Sequence, residues 1–315
     1  MSKRSRALEN VSVIMPTYNS VRTVDRAIDS VLAQTHAAWQ LVIVDDASTD
    51  ATVQRITERR RGLEDKIKLV SCQENGGPAA ARNQGMASCS GEWIAVLDAD
   101  DAWRENRLES LLEKARQDSA DAVCDNLIGF DDRAGKETQP LYAQLPAWLD
   151  IVAAVAPSYA GKYSLGYLKP VFRRSFVKQH HIRYDEGLRT GEDLLYLLSV
   201  LTHGGKVMCV DAPLYVYTMQ VGSASGKLSR STKSAPRDID MARSLARLRD
   251  DDVAHLTERE RQAIDDRIRY LNDIAPLAEF RHARLQGNWG QALKLAFTSP
   301  AVRRKIMKAI ILRKQ

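Results

Sequence analysis

The sequence has no long apolar run. Nowhere among its 315 residues does an uncharged hydrophobic stretch approach the ~18 residues that span a bilayer. Its basic start, MSKRSRALEN, leads only into a short apolar segment ended by Pro16, which is not the pattern of a signal peptide. Cysteine is sparse. Cys72, Cys89, Cys124 and Cys209 form no CxxC pair, so neither zinc-ligand spacing nor a disulfide framework is supported. Reduced thiols in a cytoplasmic protein are the expectation. Glycine-rich phosphate motifs are missing too. Gly222 to Lys227 is one residue short of GxxxxGK and lacks the following Ser or Thr, and no GxGxxG follows a strand. A P-loop ATPase is thereby excluded, and a nicotinamide enzyme is disfavoured. There is no internal repeat.

Acidic residues are absent from the end of the chain. None follows Glu279, whereas Arg281, Arg284, Lys294, Arg303, Arg304, Lys305, Lys308, Arg313 and Lys314 all do. Such a tail is either a solvated helix face or a surface for something anionic, such as lipid headgroups. Elsewhere the composition is that of a folded domain, with 44% hydrophobic and 27% charged residues supplying enough apolar surface for a core.

The first half alternates short apolar runs with helical patterns. Val11–Met15, Leu41–Val44, Ile67–Val70 and Ile94–Leu97 read as buried strands. Helical spacing follows them: Val24, Ile28, Val31 and Leu32; then Val53 and Ile56; then an alanine-rich stretch from Pro78 to Ser88; then Leu108, Leu111, Leu112 and Ala115. This order predicts an α/β protein with a mostly parallel sheet covered by helices on both faces. Ligands of such sheets bind beyond the C-terminal strand ends. Polar clusters stand at those four places: Thr17-Tyr18-Asn19, Asp45-Asp46, Asn75-Gly76-Gly77 and Asp98-Ala99-Asp100-Asp101. From about 118 to 190 the pattern loosens. A helix is expected near Gly191, a hairpin-like stretch over Val207–Thr218, a flexible loop over Gly222–Pro236, and helix from about Arg237 to Leu312.

Each cluster suits a nucleotide and its counter-ion, and each also has a plain structural reading. Asp98 and Asp100 place two carboxylates at the rim of the sheet, and carboxylate oxygens are ligands for Mg²⁺ or Mn²⁺. Asp45 and Asp46 can accept hydrogen bonds from an imide or a ribose hydroxyl, or cap a helix. Asn75-Gly76-Gly77-Pro78, with Arg82 beyond it, allows close backbone approach by a phosphate or ribose edge, or is an ordinary strand-to-helix turn. Glu192-Asp193 at a helix start is favoured by the helix dipole alone, and is also placed to serve as a general base.

Taken together, the residues and their order resemble the inverting family 2 glycosyltransferases of the GT-A fold. The resemblance runs from Val11 to about Ser225. It rests on Val11-Ser-Val-Ile-Met-Pro-Thr-Tyr-Asn19, Val44-Asp-Asp-Ala-Ser-Thr-Asp50, Asn75-Gly-Gly-Pro-Ala-Ala-Ala-Arg-Asn83, Gly91–Asp101 and Gly191-Glu-Asp193. It implies that Pro16, Tyr18 and Asp46 border the nucleotide base, with Asn19, Asp45, Asn75, Gly76 and Arg82 beside the nucleotide-sugar. It implies Asp98 near the ribose and metal, Asp100 on a Mn²⁺ or Mg²⁺ ion, Asp193 as catalytic base and Glu192 orienting the acceptor or the loop. One segment departs from the family. A His or Arg often precedes Gly-Ser-x-Ser there, but Thr218-Met-Gln-Val-Gly-Ser-Ala-Ser225 has neither, so no third metal ligand is assigned; Gln220 and Lys227 are the candidates to substitute.

Leu165–Arg174 and Ile182–Glu186 look most like bacterial exopolysaccharide transferases of the succinoglycan type. That likeness implies a UDP-sugar donor, with glucose as the sugar, and a saccharide acceptor linked to polyprenyl diphosphate. It places the chain in the cytoplasm or on the inner face of the cytoplasmic membrane, where the basic tail could meet anionic lipid. The domains expected are 1–225 for catalysis, 226–236 as linker and 237–315 as a helical basic extension. Nucleic acid is not an expected partner, since the first half presents acids rather than basic-aromatic patches. The competing reading is a nucleotide-sugar-binding or scaffolding subunit without turnover.

Overall fold

A computed structural model describes residues 9–158, 163–188, 190–219, 235–251 and 255–312. It divides into two compact units, Met1–Val221 and Gly222–Gln315.

The first unit opens with the alternation read from the sequence. β1 (Val11–Thr17), α1 (Val24–Leu32), β2 (Trp39–Asp45), α2 (Thr52–Arg59), β3 (Ile67–Ser71), α3 (Pro78–Ala87) and β4 (Trp93–Val96) follow one another. The four strands lie parallel in the order β3-β2-β1-β4. Val11, Val13, Ile14, Met15, Leu41, Ile43 and Val44 are fully buried, as strands covered on both faces require. Where these strands end, the chain turns to polar residues whose backbone can no longer pair in the sheet.

The loosely patterned middle builds the other half of the same sheet. It contains β5 (Ala102–Trp103), α4 (Arg107–Gln117), β6 (Ala122–Asp131), β7 (Lys136–Pro140), β8 (Trp148–Leu149), α5 (Ile151–Val155), a 3₁₀ turn at Leu165–Tyr167, β9 (Val171–Arg173), α6 (Arg174–Gln179), α7 (Glu192–Thr202) and β10 (Val207–Met219). The sheet continues from β4 through β9, β6 and β10 to β5, with β7 paired to β6 and β8 to β10. β9 runs antiparallel between β4 and β6, and β6 and β10 are parallel.

The expected hairpin over Val207–Thr218 is instead a single strand. Asp211 to Leu214 forms an irregularity in the β6–β10 register, between Val210 and Tyr215, rather than a reversal. Pro213 lacks an amide hydrogen, which suits a bulge better than a regular ladder position.

The second unit is helical: α8 (Ala235–Asp250), α9 (Glu258–Leu285), α10 (Trp289–Thr298) and α11 (Pro300–Leu312). The helical extension expected from about Arg237 to Leu312 is present as these four helices, and α8 begins inside the stretch expected as linker. Thr257 caps α9 through a reciprocal bond with Glu260, and Leu245, Ile264, Leu271 and Ala275 are buried. No helix among the described residues is long and apolar enough to cross a membrane.

Candidate active site

The turns after β1 and β2 are tied to each other by their own polar side chains. Asn19, with φ 50°, accepts through Oδ1 from the amides of Thr49 (2.8 Å) and Asp50 (3.3 Å), while its own amide donates to Ser48 Oγ at 2.9 Å. Buried Asp45 accepts from the Ser48 amide at 3.0 Å, closing a turn through Ala47. Asp46 reaches the third strand's turn. Its two oxygens accept the Gly76 and Gly77 amides, both at 2.8 Å, and its carbonyl accepts from Asn75 Nδ2 at 3.1 Å. Gly77, at φ 89°, holds a conformation that L side chains resist, and α3 starts from it. Pro16 is half-buried, whereas Tyr18 stands exposed at the mouth of these loops.

The turn after β4 is held by ion pairs. Arg82, projecting from α3 and only 3% exposed, donates from Nη2 to Asp98 Oδ1 and from Nη1 to Glu192 Oε1, both at 2.7 Å. The same Nη1 lies 3.4 Å from Asp193 Oδ1. Lys169, just before β9 and also buried, donates from Nζ to Asp98 Oδ2 at 2.7 Å and to Asp193 Oδ2 at 2.5 Å. Thus two cations bridge the C-terminal end of the parallel sheet to the first turn of α7. Burial pushes the Asp98 carboxyl up, but the Lys169 and Arg82 charges overcome it and hold it well below the usual carboxylate range. Burial likewise opposes the charges of Arg82 and Lys169, yet Asp193 and Asp98 raise both.

Under this cluster lies a buried scaffold. Arg107, fully buried at the start of α4, forms a two-pronged pair with Asp125 of β6 (2.7–3.1 Å) and donates to the Lys169 carbonyl at 2.7 Å. Its guanidinium sits between the rings of Trp103 and Tyr215. Buried Asp101 accepts from Tyr215 OH at 2.8 Å and from the Thr218 amide at 2.7 Å, tying the Asp98–Asp101 turn to β10. Asn83 grips Tyr184 through both its backbone groups, with Tyr184 N donating to Oδ1 and Nδ2 donating to Tyr184 O, both at 2.9 Å. Beside Lys169, Gly166 lets the 3₁₀ turn approach α7, since a Cβ there would meet Leu194 Cβ at 2.9 Å. Tyr167 next to it is exposed and packs edge-on against Tyr217.

Asp100 differs from its neighbours. No cation among the described residues pairs with its carboxylate, and Arg26 binds its backbone carbonyl instead, at 2.5 Å. Burial, and next the Asp98 charge, push its carboxyl up to about 6. Three carboxylates (Asp98, Glu192, Asp193) against two cations already leave one negative charge over, and ionised Asp100 would add a second. Asp100 therefore fits a divalent ion whose other positions are filled by phosphate and water. Asp98 fits less well, because each of its oxygens already faces a cation, Arg82 or Lys169, whose charge opposes a metal ion beside it. Among the described residues no three His, Cys, Asp or Glu side chains form a ready metal cage.

Ten of the twelve site residues expected from the sequence fall into two groups at this end of the sheet: the Asn19–Asp45–Asp46–Asn75–Gly76 latch and the Arg82–Asp98–Asp100–Glu192–Asp193 cluster; Pro16, in β1, and Tyr18, just past it, belong to neither. Gln220 and Lys227 lie outside the described residues. Lys169, Arg107, Asp125 and Arg26 were not expected. A lysine inside the otherwise apolar Leu165–Phe172 and an aspartate inside Ala122–Leu127 were the available signals, because a buried charge needs a partner.

Residues 12–169 match the family model "Glycosyl transferase family 2". The succinoglycan biosynthesis protein ExoU of Rhizobium meliloti (strain 1021) is 33% identical over 315 residues, covering 96% of this chain and 87% of that protein. ExoO of the same organism, also a succinoglycan biosynthesis protein, is 36% identical over 224 residues, covering 69% of this chain but only 62% of its own length. Among solved structures, Staphylococcus aureus TarS 1–349 in complex with UDP-GlcNAc superposes with a TM-score of 0.65 at 19% identity, covering 95% of this chain and 92% of that one. At that identity the likeness establishes the fold, which is GT-A.

Proposed function

The chain belongs to glycosyl transferase family 2, and from that premise we propose that the Arg82–Asp98–Lys169–Asp193 cluster is the catalytic centre of an inverting hexosyltransferase using a UDP-sugar. The observation that carries the reading is the double bridge: Lys169 and Arg82 each touch both a donor-side carboxylate, Asp98, and the candidate base, Asp193. Cations shared in this way can pass to diphosphate oxygens when a donor enters, stabilising the departing charge and freeing Asp193 for the acceptor.

Asp193 would take the proton from an acceptor hydroxyl as that oxygen forms a bond to the anomeric carbon. The bond from that carbon to the diphosphate oxygen breaks, its electron pair leaves with UDP, and the configuration inverts. Glu192, held by Arg82, would fix the first turn of α7 in place. Mn²⁺ or Mg²⁺ held by Asp100 would supply neutralisation of the diphosphate. Pro16, Tyr18 and the Asp46 latch would wall the base, with Asn19, Asp45, Asn75 and Gly76 shaping that wall. Asp46 retains a free lone pair on each oxygen for an imide or ribose donor.

The succinoglycan relatives support exopolysaccharide assembly as the setting, and within that reading the transferred sugar would be glucose. The acceptor would then be a saccharide on polyprenyl diphosphate, met from the cytoplasmic side of the membrane. The test is UDP release by purified protein from a panel of UDP-sugars with Mn²⁺ or Mg²⁺ and lipid-linked acceptors. Donor-specific, metal-dependent release that is lost in Asp193→Asn and Asp100→Ala is expected. Tight donor binding without turnover under every acceptor would replace this reading with that of a binding subunit.

A further inference from the structure

The second unit carries an apolar stripe on its surface. Along α10, Trp289, Leu293 and Phe297 are 60%, 56% and 75% exposed, although they are among the largest apolar side chains of that unit. A step of four residues turns an α-helix by about 40°, so the three share an arc of about 80°. The helix buries a different side. Ala292 and, just past the helix end, Ser299 are covered, and Leu295 and Ala296 are half-covered, where α10 packs on α9 and α11. The stripe is thus surplus to the packing of the unit. Leu285 at the end of α9 and Met307 on α11 are exposed as well.

From Arg281 onward the charge of the unit is of one sign. Arg281, Arg284, Lys294, Arg303, Arg304 and Lys305 are all exposed, and no acidic residue follows Glu279. A protein partner with an apolar groove would satisfy the stripe alone. An anionic bilayer satisfies both features, taking aromatic and leucine side chains into the headgroup boundary while its phosphates meet the surrounding cations. Tryptophan and phenylalanine on one helix flank with lysine and arginine beside them match that boundary chemically.

We propose that α10 lies in the plane of an anionic membrane and inserts Trp289, Leu293 and Phe297, with the Arg and Lys residues of α9 to α11 on lipid phosphates. The inference goes past the transferase reading, because lipid binding requires neither donor nor turnover. It identifies the apolar anchor as α10, whereas the sequence pointed to the basic face of α11.

The experiment is sedimentation of the full chain with vesicles of phosphatidylglycerol and phosphatidylethanolamine in equal parts, and with vesicles of phosphatidylcholine alone. Binding to the first and not the second is expected, weakening as salt is added. The double variant W289S/F297S should bind at least about tenfold more weakly, with its melting temperature unchanged. W289F should keep binding but lose the blue shift of tryptophan emission that accompanies it. No binding of the wild-type chain to anionic vesicles, or equal binding by the double variant, overturns the proposal. So does a concentration-dependent dimer abolished by the same variant in the absence of vesicle binding, which would assign the stripe to a second copy. Vesicle binding by protein that releases no UDP from any donor with any lipid-linked acceptor would leave this inference standing and remove the transferase reading.

Discussion

The acids after β2 and the acids after β4 occupy equivalent places at the rim of one sheet, but they are neutralised by different chemistry. Asp45 and Asp46 spend their oxygens on backbone amides of Ser48, Gly76 and Gly77, groups that cannot leave. Asp98, with Glu192 and Asp193 across from it, is met by the ends of two long side chains, Arg82 and Lys169. An amide latch gives a fixed wall, whereas a side-chain cation can be exchanged for a phosphate. Acids of the first kind build a pocket and acids of the second kind can take part in a reaction.

Substitutions should separate the two kinds. Asp193→Asn keeps the size of the side chain but removes the base, so kcat should fall about 10³-fold, equivalent to about 4 kcal/mol of barrier, while donor affinity measured by calorimetry changes little. Lys169→Met strips a buried cation from two carboxylates. Unfolding in urea should show about 3–5 kcal/mol of lost stability, and Lys169→Arg should recover part of it. Asp46→Ala orphans two amides and should cost about 2–3 kcal/mol in the same measurement, with Asp193-dependent chemistry persisting in whatever fraction stays folded. If Asp46→Ala abolished turnover in fully folded protein at saturating donor, the wall would be reacting after all and the contrast would collapse.

What the sequence disclosed follows the range of the interactions. β1 to β4 and the helices between them were readable because each is a local apolar pattern closed by local turn residues. Glu192 and Asp193 were readable as first-turn acids of a helix. β6 and β10 were harder, since β6 carries Asp125-Asn126 in its middle and β10 carries Pro213. Asp125 is tolerated there only because Arg107, from the preceding helix, pairs with it. Lys169 was invisible as a site residue for the same reason, its partners lying 24 and 71 positions away. Asn19 and Asp46 stand just past the C-terminal ends of β1 and β2, where the strand-end rule puts polar residues, but the sequence could not show that their polar atoms are engaged by other loops.

Asp100 offers the finest test, because it belongs to neither kind: among the described residues no loop amide of another strand end latches it and no cation forms an ion pair with it, although the Lys169 and Arg26 charges act on it from further off. Its carboxyl is pushed up to about 6 by burial and by Asp98, against about 3.9 in an unfolded chain. Between those values the native state holds the extra proton, so its stability falls as pH rises through that window. The complete shift would amount to about 3 kcal/mol, which access to solvent and sharing with Asp98 reduce to about 1–2 kcal/mol. Asp100→Asn carries no such titration. It should therefore be more stable than the wild type by about 1–2 kcal/mol in urea at pH 7.5, and equal to it near pH 4, where the wild-type carboxyl is protonated in the native state. If Asp100 holds the ion as proposed, excess Mn²⁺ with UDP should raise the stability of the wild type more than that of the variant. A variant less stable than the wild type at both pH values would show instead that Asp100 carries a structural bond, as Asp101 does with Tyr215 and Thr218.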